Sequence, residues 1–228
     1  MTTRTEKALV SDISQSVASL LPALEEFARF SGPDGAADRA TWRPLLDEPL
    51  PVQGVGAQSV LATLRDVVIP RGSRLGHPGF SGWITTMPTT TATAAALAAT
   101  WSAPQRWWVH PANFLDVLAA RWLGTLLGFP STYQGVFVSG GAMANLIGLG
   151  VARQHAAERQ GVDASRDGVA ALNEPRVYAS SEVHHVLSRA AGVLGLGRRH
   201  LRTFAVDAAG KLDLAGLESA LTEDVRAG

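Results

Sequence analysis

The sequence predicts an α/β fold in which short parallel strands alternate with covering helices. Three observations carry that expectation. Beyond residue 112, brief apolar runs at 136–138, 176–179 and 201–206 alternate with longer segments of helical period. The first run meets its helix through Ser139-Gly140-Gly141, a glycine turn of the kind that joins strand to helix in open sheets. Finally, 46% of residues are hydrophobic and only 18% charged, below the roughly 25% of an average domain, which suits strands covered on both faces.

The elements follow in order. Residues 5–30 carry Leu9, Ile13, Val17, Leu20, Leu24 and Phe27 at helical spacing, and Ser31-Gly32-Pro33 ends the pattern. Residues 42–56 hold Pro44, Pro49 and Pro51 with two glycines, which predicts an extended arm. A helix is expected from Ala57 to Ile69, stopped by Pro70, and an Ala/Thr-rich helix after the His77-Pro78 loop. Phe114, Leu118, Trp122 and Leu126 give the next helix a broad apolar face, closed by Gly128 and Pro130. Three strands are then expected at 136–138, 176–179 and 201–206. Helices follow them from the glycine turn to Gln160, over 184–194 and over 213–225. Three strands make a thin sheet with an open edge, so the chain reads as a fold cut partway. The expected division is a helical segment with an arm over 1–56, and an incomplete larger domain over 57–228.

Composition excludes several functions. Twenty basic and twenty acidic residues leave no net positive field for nucleic acid. Without cysteine there is no disulfide, thiolate metal site or thiol nucleophile. The six histidines, at 77, 110, 155, 184, 185 and 200, include no HxxxH pair. The Ala/Thr stretch falls short of the ~20 residues that span a membrane. A start of this kind, with Glu6 and no apolar run, leads us to expect a cytoplasmic protein. Only Lys7 and Lys211 could act as amine nucleophiles, and Lys211 reads as solvated in a turn.

Two turns stand out. Gly140 and Gly141 let backbone N–H groups approach an anion at a helix N-terminus, although the same glycines serve a tight turn equally well. No Gly-Lys-Ser/Thr follows them, so this is not a nucleotide P-loop. Phe137 stands where a nucleophile elbow needs glycine, which argues against a serine hydrolase. His184 and His185 follow the second strand, as capping residues or as groups facing the crevice of the glycine turn. The aromatic loop around His77, Phe80 and Trp83, with Trp101, Trp107, Trp108 and Trp122, suits a planar substrate pocket or an oligomer interface.

Taken together, these patches resemble the group II pyridoxal-phosphate-dependent amino acid decarboxylases. The resemblance rests on His77-Pro78 with Phe80, Trp101-Ser102, Pro111-Ala112 ahead of Asp116, 139–146, and Tyr178 through His184, in the family's order. It implies a type I pyridoxal-phosphate-dependent transferase fold, aspartate-aminotransferase-like and truncated partway through the large domain. It further implies a homodimer wrapped by the N-terminal segment, with an amino acid as substrate and an amine plus CO2 as products. By the same resemblance, Gly140, Gly141 and Ala142 hold the phosphate of pyridoxal 5'-phosphate. His184 stacks on its ring and assists at the reacting carbon. His77, Phe80, Trp83, Ile84 and Trp101 line the substrate pocket, with an aromatic side chain favoured.

Two departures qualify what is implied. Ala142 stands where the family usually has serine. The family's pyridine-pairing aspartate and Schiff-base lysine fall beyond residue 228, so the chain alone is expected to be inactive and to need a complementing C-terminal polypeptide. A non-catalytic half-domain that pairs with a complete subunit is the alternative, followed by another enzyme of the same fold type.

Overall fold

The computed structural model describes residues 2–29, 38–82, 84–102 and 111–227, with side chains from residue 12 onward. The chain divides into two compact units, Met1–Ala103 and Pro104–Gly228.

In the first unit, α1 (Thr2–Ala28) packs on a helical stretch over 57–71. Arg74 fastens the end of α1. Its Nη1 donates to the Phe27 carbonyl at 2.8 Å, and its guanidinium lies 4.7 Å from the Phe27 ring centroid. The expected helix over 57–69 is not uniform. It begins as α3 (Ala57–Thr63), widens into a π-helical stretch at Leu64–Val68 and tightens into a 3₁₀ turn at Ile69–Arg71. Pro70 explains the change: it lacks an N–H, and its ring crowds the carbonyl four residues back, so the Ile69 N–H bonds Leu64 O instead. The arm also departs from expectation at its start. Residues before Asp47 form α2 (Arg39–Trp42) and a 3₁₀ turn at Arg43–Leu45, with Pro44 at a helix start where its missing N–H costs nothing. Only from about residue 47 is the arm irregular, with Leu50 and Val52 fully exposed. The Ala/Thr segment forms α4 (Thr90–Ser102).

The second unit contains α5 (Pro111–Leu126), α6 (Gly141–Arg159), α7 (Ala164–Asp167), β1 (Val177–Ser180), α8 (Val186–Val193), β2 (Leu201–Phe204) and α9 (Leu214–Ala227). Here β1 and β2 pair in parallel, with Val177 opposite Leu201 and Ser180 opposite Phe204, as alternating strands and helices require. The first of the three expected strands, 136–138, is not formed. Residues 136–138 run without regular structure into the glycine turn and pair with no strand among the described residues. Apolar sequence makes a strand only where a ladder partner is at hand, and Val136 and Phe137 stay about half exposed. The last strand is also shorter than 201–206, because the chain reverses at Asp207. The Asp207 carboxylate accepts from the N–H groups of Ala209 and Lys211, and Val206 bridges Leu212 in antiparallel fashion.

The core of this unit is built from small side chains. Ala157, Ala164, Leu172, Ala191 and Leu196 are buried together, with Leu149, Val162, Val177 and Leu194 packed against them. Alanines let α6 and α8 approach closely. Gly161, at φ +73°, ends α6: its N–H bonds Glu158 O and the Val162 N–H bonds Ala157 O, the double bond of a glycine-terminated helix. Val162 then drops into the core. No described helix is long and apolar enough to cross a membrane, and no cluster of His, Asp and Glu suited to a metal ion occurs among the described residues.

Candidate functional site

Helices α6 and α8 run in the same direction. Near their starts, Ala142, Met143 and Leu146 face Val186 and Arg189 across a groove of about 210 Å³. Further along α6, Arg153 Nη1 donates to Leu194 O, just past the end of α8, at 3.0 Å. Both N-termini therefore lie at one end of the pair, which brings the glycine turn before α6 and the 181–185 segment before α8 to the same side.

The glycine turn opens α6 with backbone donors that the helix itself does not use. The first backbone bond of α6 runs from Ala144 N to Gly140 O at 3.0 Å, so the helix offers no acceptor to the N–H groups of Gly141, Ala142 and Met143. No side chain caps this end. A Cβ added at Gly140 or Gly141 would meet nothing within 4 Å. Gly140 sits at φ 146° and ψ 173°, a conformation essentially restricted to glycine. Asn145, which sequence reasoning gave no role, donates from Nδ2 to Gly141 O at 2.9 Å and steadies the turn's own carbonyl. Its signal was the spacing of four residues within one helix.

His184 takes the capping role, one of the two readings that the sequence left open. Its Nδ1 accepts the Val186 N–H at 3.3 Å, capping the start of α8, while the side chain remains exposed. Accepting at Nδ1 leaves Nε2 to carry the proton of the neutral ring. The Ser180 hydroxyl accepts from Glu182 N and shapes the turn before it. The His185 ring packs on that of His184 with centroids 4.2 Å apart, and this contact pushes the His185 imidazolium below the usual histidine range.

The remaining expected residues belong to the first unit. His77 and Phe80 meet in one turn, in which Phe80 N bonds His77 O at 2.9 Å and His77 Nδ1 accepts from Gly79 N at 2.9 Å. Phe80 is half-buried; Ile84 is fully exposed and Trp101 about half exposed. Trp83 lies outside the described residues. Lys211 is exposed in the Asp207 turn, as its glycine-flanked context predicts.

Comparison with known proteins decides the family. A profile described as the pyridoxal-dependent decarboxylase conserved domain matches residues 40–228. The chain belongs to the pyridoxal-dependent decarboxylases. It is 27% identical to the aromatic-L-amino-acid decarboxylase of Bacillus atrophaeus over 185 residues, covering 80% of this chain and 36% of that protein. Among solved structures it matches the glutamate decarboxylase domain of a Vibrio parahaemolyticus diaminobutyrate-pyruvate transaminase and L-2,4-diaminobutyrate decarboxylase, with TM-score 0.80 and 19% identity. That match covers 92% of this chain and 48% of the other. It also matches Oryza sativa TDC solved with PLP and tryptamine, with TM-score 0.77 and 24% identity over 97% of this chain and 49% of the other. The chain thus spans about a third of the curated relative and half of the solved chains. The fold is that of the type I pyridoxal-phosphate enzymes.

The start of α6 in this chain has the donor chemistry that the phosphate of the family's cofactor needs. A dianion needs several donors facing open space, and the N–H groups of Gly141, Ala142 and Met143 have no helix acceptor, while the space beside both glycines is empty.

Proposed function

We propose that this chain forms the phosphate- and ring-binding portion of an amino acid decarboxylase that releases CO2 and an amine. The observation that carries the reading is the bare glycine turn at the same end of the helix pair as His184. In this reading the backbone N–H groups of Gly141 and Ala142 hold the cofactor phosphate, while Gly140 gives the turn its shape. Ala142 offers only its backbone donor, so the phosphate is bound without a hydroxyl from this position. His184, fixed at Nδ1 by the Val186 N–H, presents its ring to the cofactor ring, and its Nε2–H serves as a hydrogen-bond donor beside the reacting carbon. Bound pyridoxal phosphate supplies the electron sink for loss of the substrate carboxylate.

His77, Phe80, Trp83, Ile84 and Trp101 line the side-chain pocket in this reading. An aromatic amino acid is favoured, supported by the apolar Ile84 and by the name of the Bacillus relative. The active assembly is a homodimer. In this reading the lysine that holds the cofactor covalently and the aspartate that pairs with its ring are not among residues 1–228, since Lys211 stands exposed in a tight turn. The test is CO2 release from labelled phenylalanine, tryptophan and glutamate. We expect none from the chain with pyridoxal phosphate alone, and release from the aromatic substrates once a polypeptide carrying that aspartate and lysine is added. Activity of the chain alone, or preference for glutamate, would overturn the corresponding part of the reading.

A further inference from the structure

We propose that His185 is a positioning residue for His184: its ring backs one face of the His184 imidazole and leaves the opposite face as the platform for a planar heteroaromatic ligand. The inference rests on the reading above only for the identity of that ligand.

Three features of the geometry support it. The two ring centroids lie 4.2 Å apart at an interplanar angle of 32°, so the His185 ring lies against that of His184. The His184 ring is also held at its edge, because Nδ1 accepts the Val186 N–H. Edge and face restraints act in different directions, and together they fix the plane of a side chain that would otherwise rotate freely in solvent. Finally, His185 has no capping duty. It stands at the helix start with φ −52° and ψ −19°, yet its side chain makes no cap bond, and α8 is capped by His184 instead.

Charge agrees with this arrangement. The groups that face His185 are His184 in the preceding turn and Arg189 one turn along α8. Both disfavour its protonation, His184 the more strongly.

The test measures pyridoxal phosphate affinity by absorbance and fluorescence for the wild-type chain, His185→Ala and His185→Phe, with circular dichroism as the check on folding. We expect His185→Ala to bind about 3- to 10-fold more weakly, as loss of one pre-ordered side chain implies. His185→Phe, which keeps a flat ring behind His184, should recover most of the loss. Unchanged affinity in His185→Ala, or a His185→Phe variant as weak as the alanine, would overturn the proposal. A second arm does not depend on the ligand. In proton–carbon NMR spectra, the His184 Hε1 resonance should move when the ring current of His185 is removed in His185→Ala. An unmoved resonance would sink the His–His contact itself. Failure of the wild type to bind, with the resonance moving as expected, would count against the ligand assignment and not against the stacking.

Discussion

Tyr178 donates its hydroxyl proton to Asp224 Oδ2 at 2.6 Å, joining the middle of β1 to the last turns of α9 across 46 residues of sequence. Arg202 on β2 donates to the same oxygen at 2.6 Å, and Arg176 lies 3.7 Å from the other. One carboxylate thus gathers both strands under the final helix. We expect Tyr178→Phe to destabilise the chain by about 1–2 kcal/mol in urea melts, since the Arg202 bond survives. No loss would mean that solvent replaces the hydroxyl at no cost.

The same network sets an acid limit. The Tyr178 hydroxyl and then Arg202 hold Asp224 below the usual carboxylate range. Asp163 is held at about 2, chiefly by the Ser165 hydroxyl and then by the Gln154 amide. A carboxyl whose folded pKa is depressed stabilises the fold fully above its unfolded value of 3.8 and loses that effect as pH falls through the folded value. Stability should therefore decline from just above pH 4 towards pH 2. Carboxyl-carbon NMR should find Asp163 titrating near 2, and an ordinary value would contradict its role as the cap of α7.

The two glycines should separate by function. Gly140→Ala forces a side chain into a conformation reserved for glycine and should cost about 1–3 kcal/mol in thermal or urea unfolding. Gly141 has an ordinary φ and open space around it, so Gly141→Ala should leave the melting curve nearly unchanged. Equal stability losses in both would show that the turn is held by packing.

Ala191 is fully buried between α6 and α8. Ala191→Leu adds volume with no cavity to receive it and should destabilise by about 1–3 kcal/mol. A neutral outcome would mean that the helix pair can separate without cost.

Much of this arrangement is legible in the residues. Gly140-Gly141 and Gly161 mark both ends of α6, because only glycine meets the backbone demands of the turn before it and the reversal after it. The parallel pairing of β1 and β2 follows from the alternation of apolar runs and helices. What escaped depends on partners distant in sequence or on local competition. The run at 136–138 has strand composition, but composition does not supply a neighbour. The π-helical stretch before Pro70 is a local response of the hydrogen-bond ladder that periodicity alone does not show. The bond between Tyr178 and Asp224 leaves no trace at helical or strand spacing. For His184 the residue was evident, while its capping bond and the ring behind it were not.

The most direct test of the central claim compares binding of pyridoxal phosphate and pyridoxal, which lacks the phosphate, to the wild-type chain and to Gly141→Ala. If the start of α6 is a phosphate cradle, the wild type should prefer the phosphorylated form by about tenfold or more, in line with charge-assisted backbone bonds. The preference should collapse in Gly141→Ala while the fold persists. Equal affinity for the two ligands, or a preference that survives the added methyl group, would contradict the assignment.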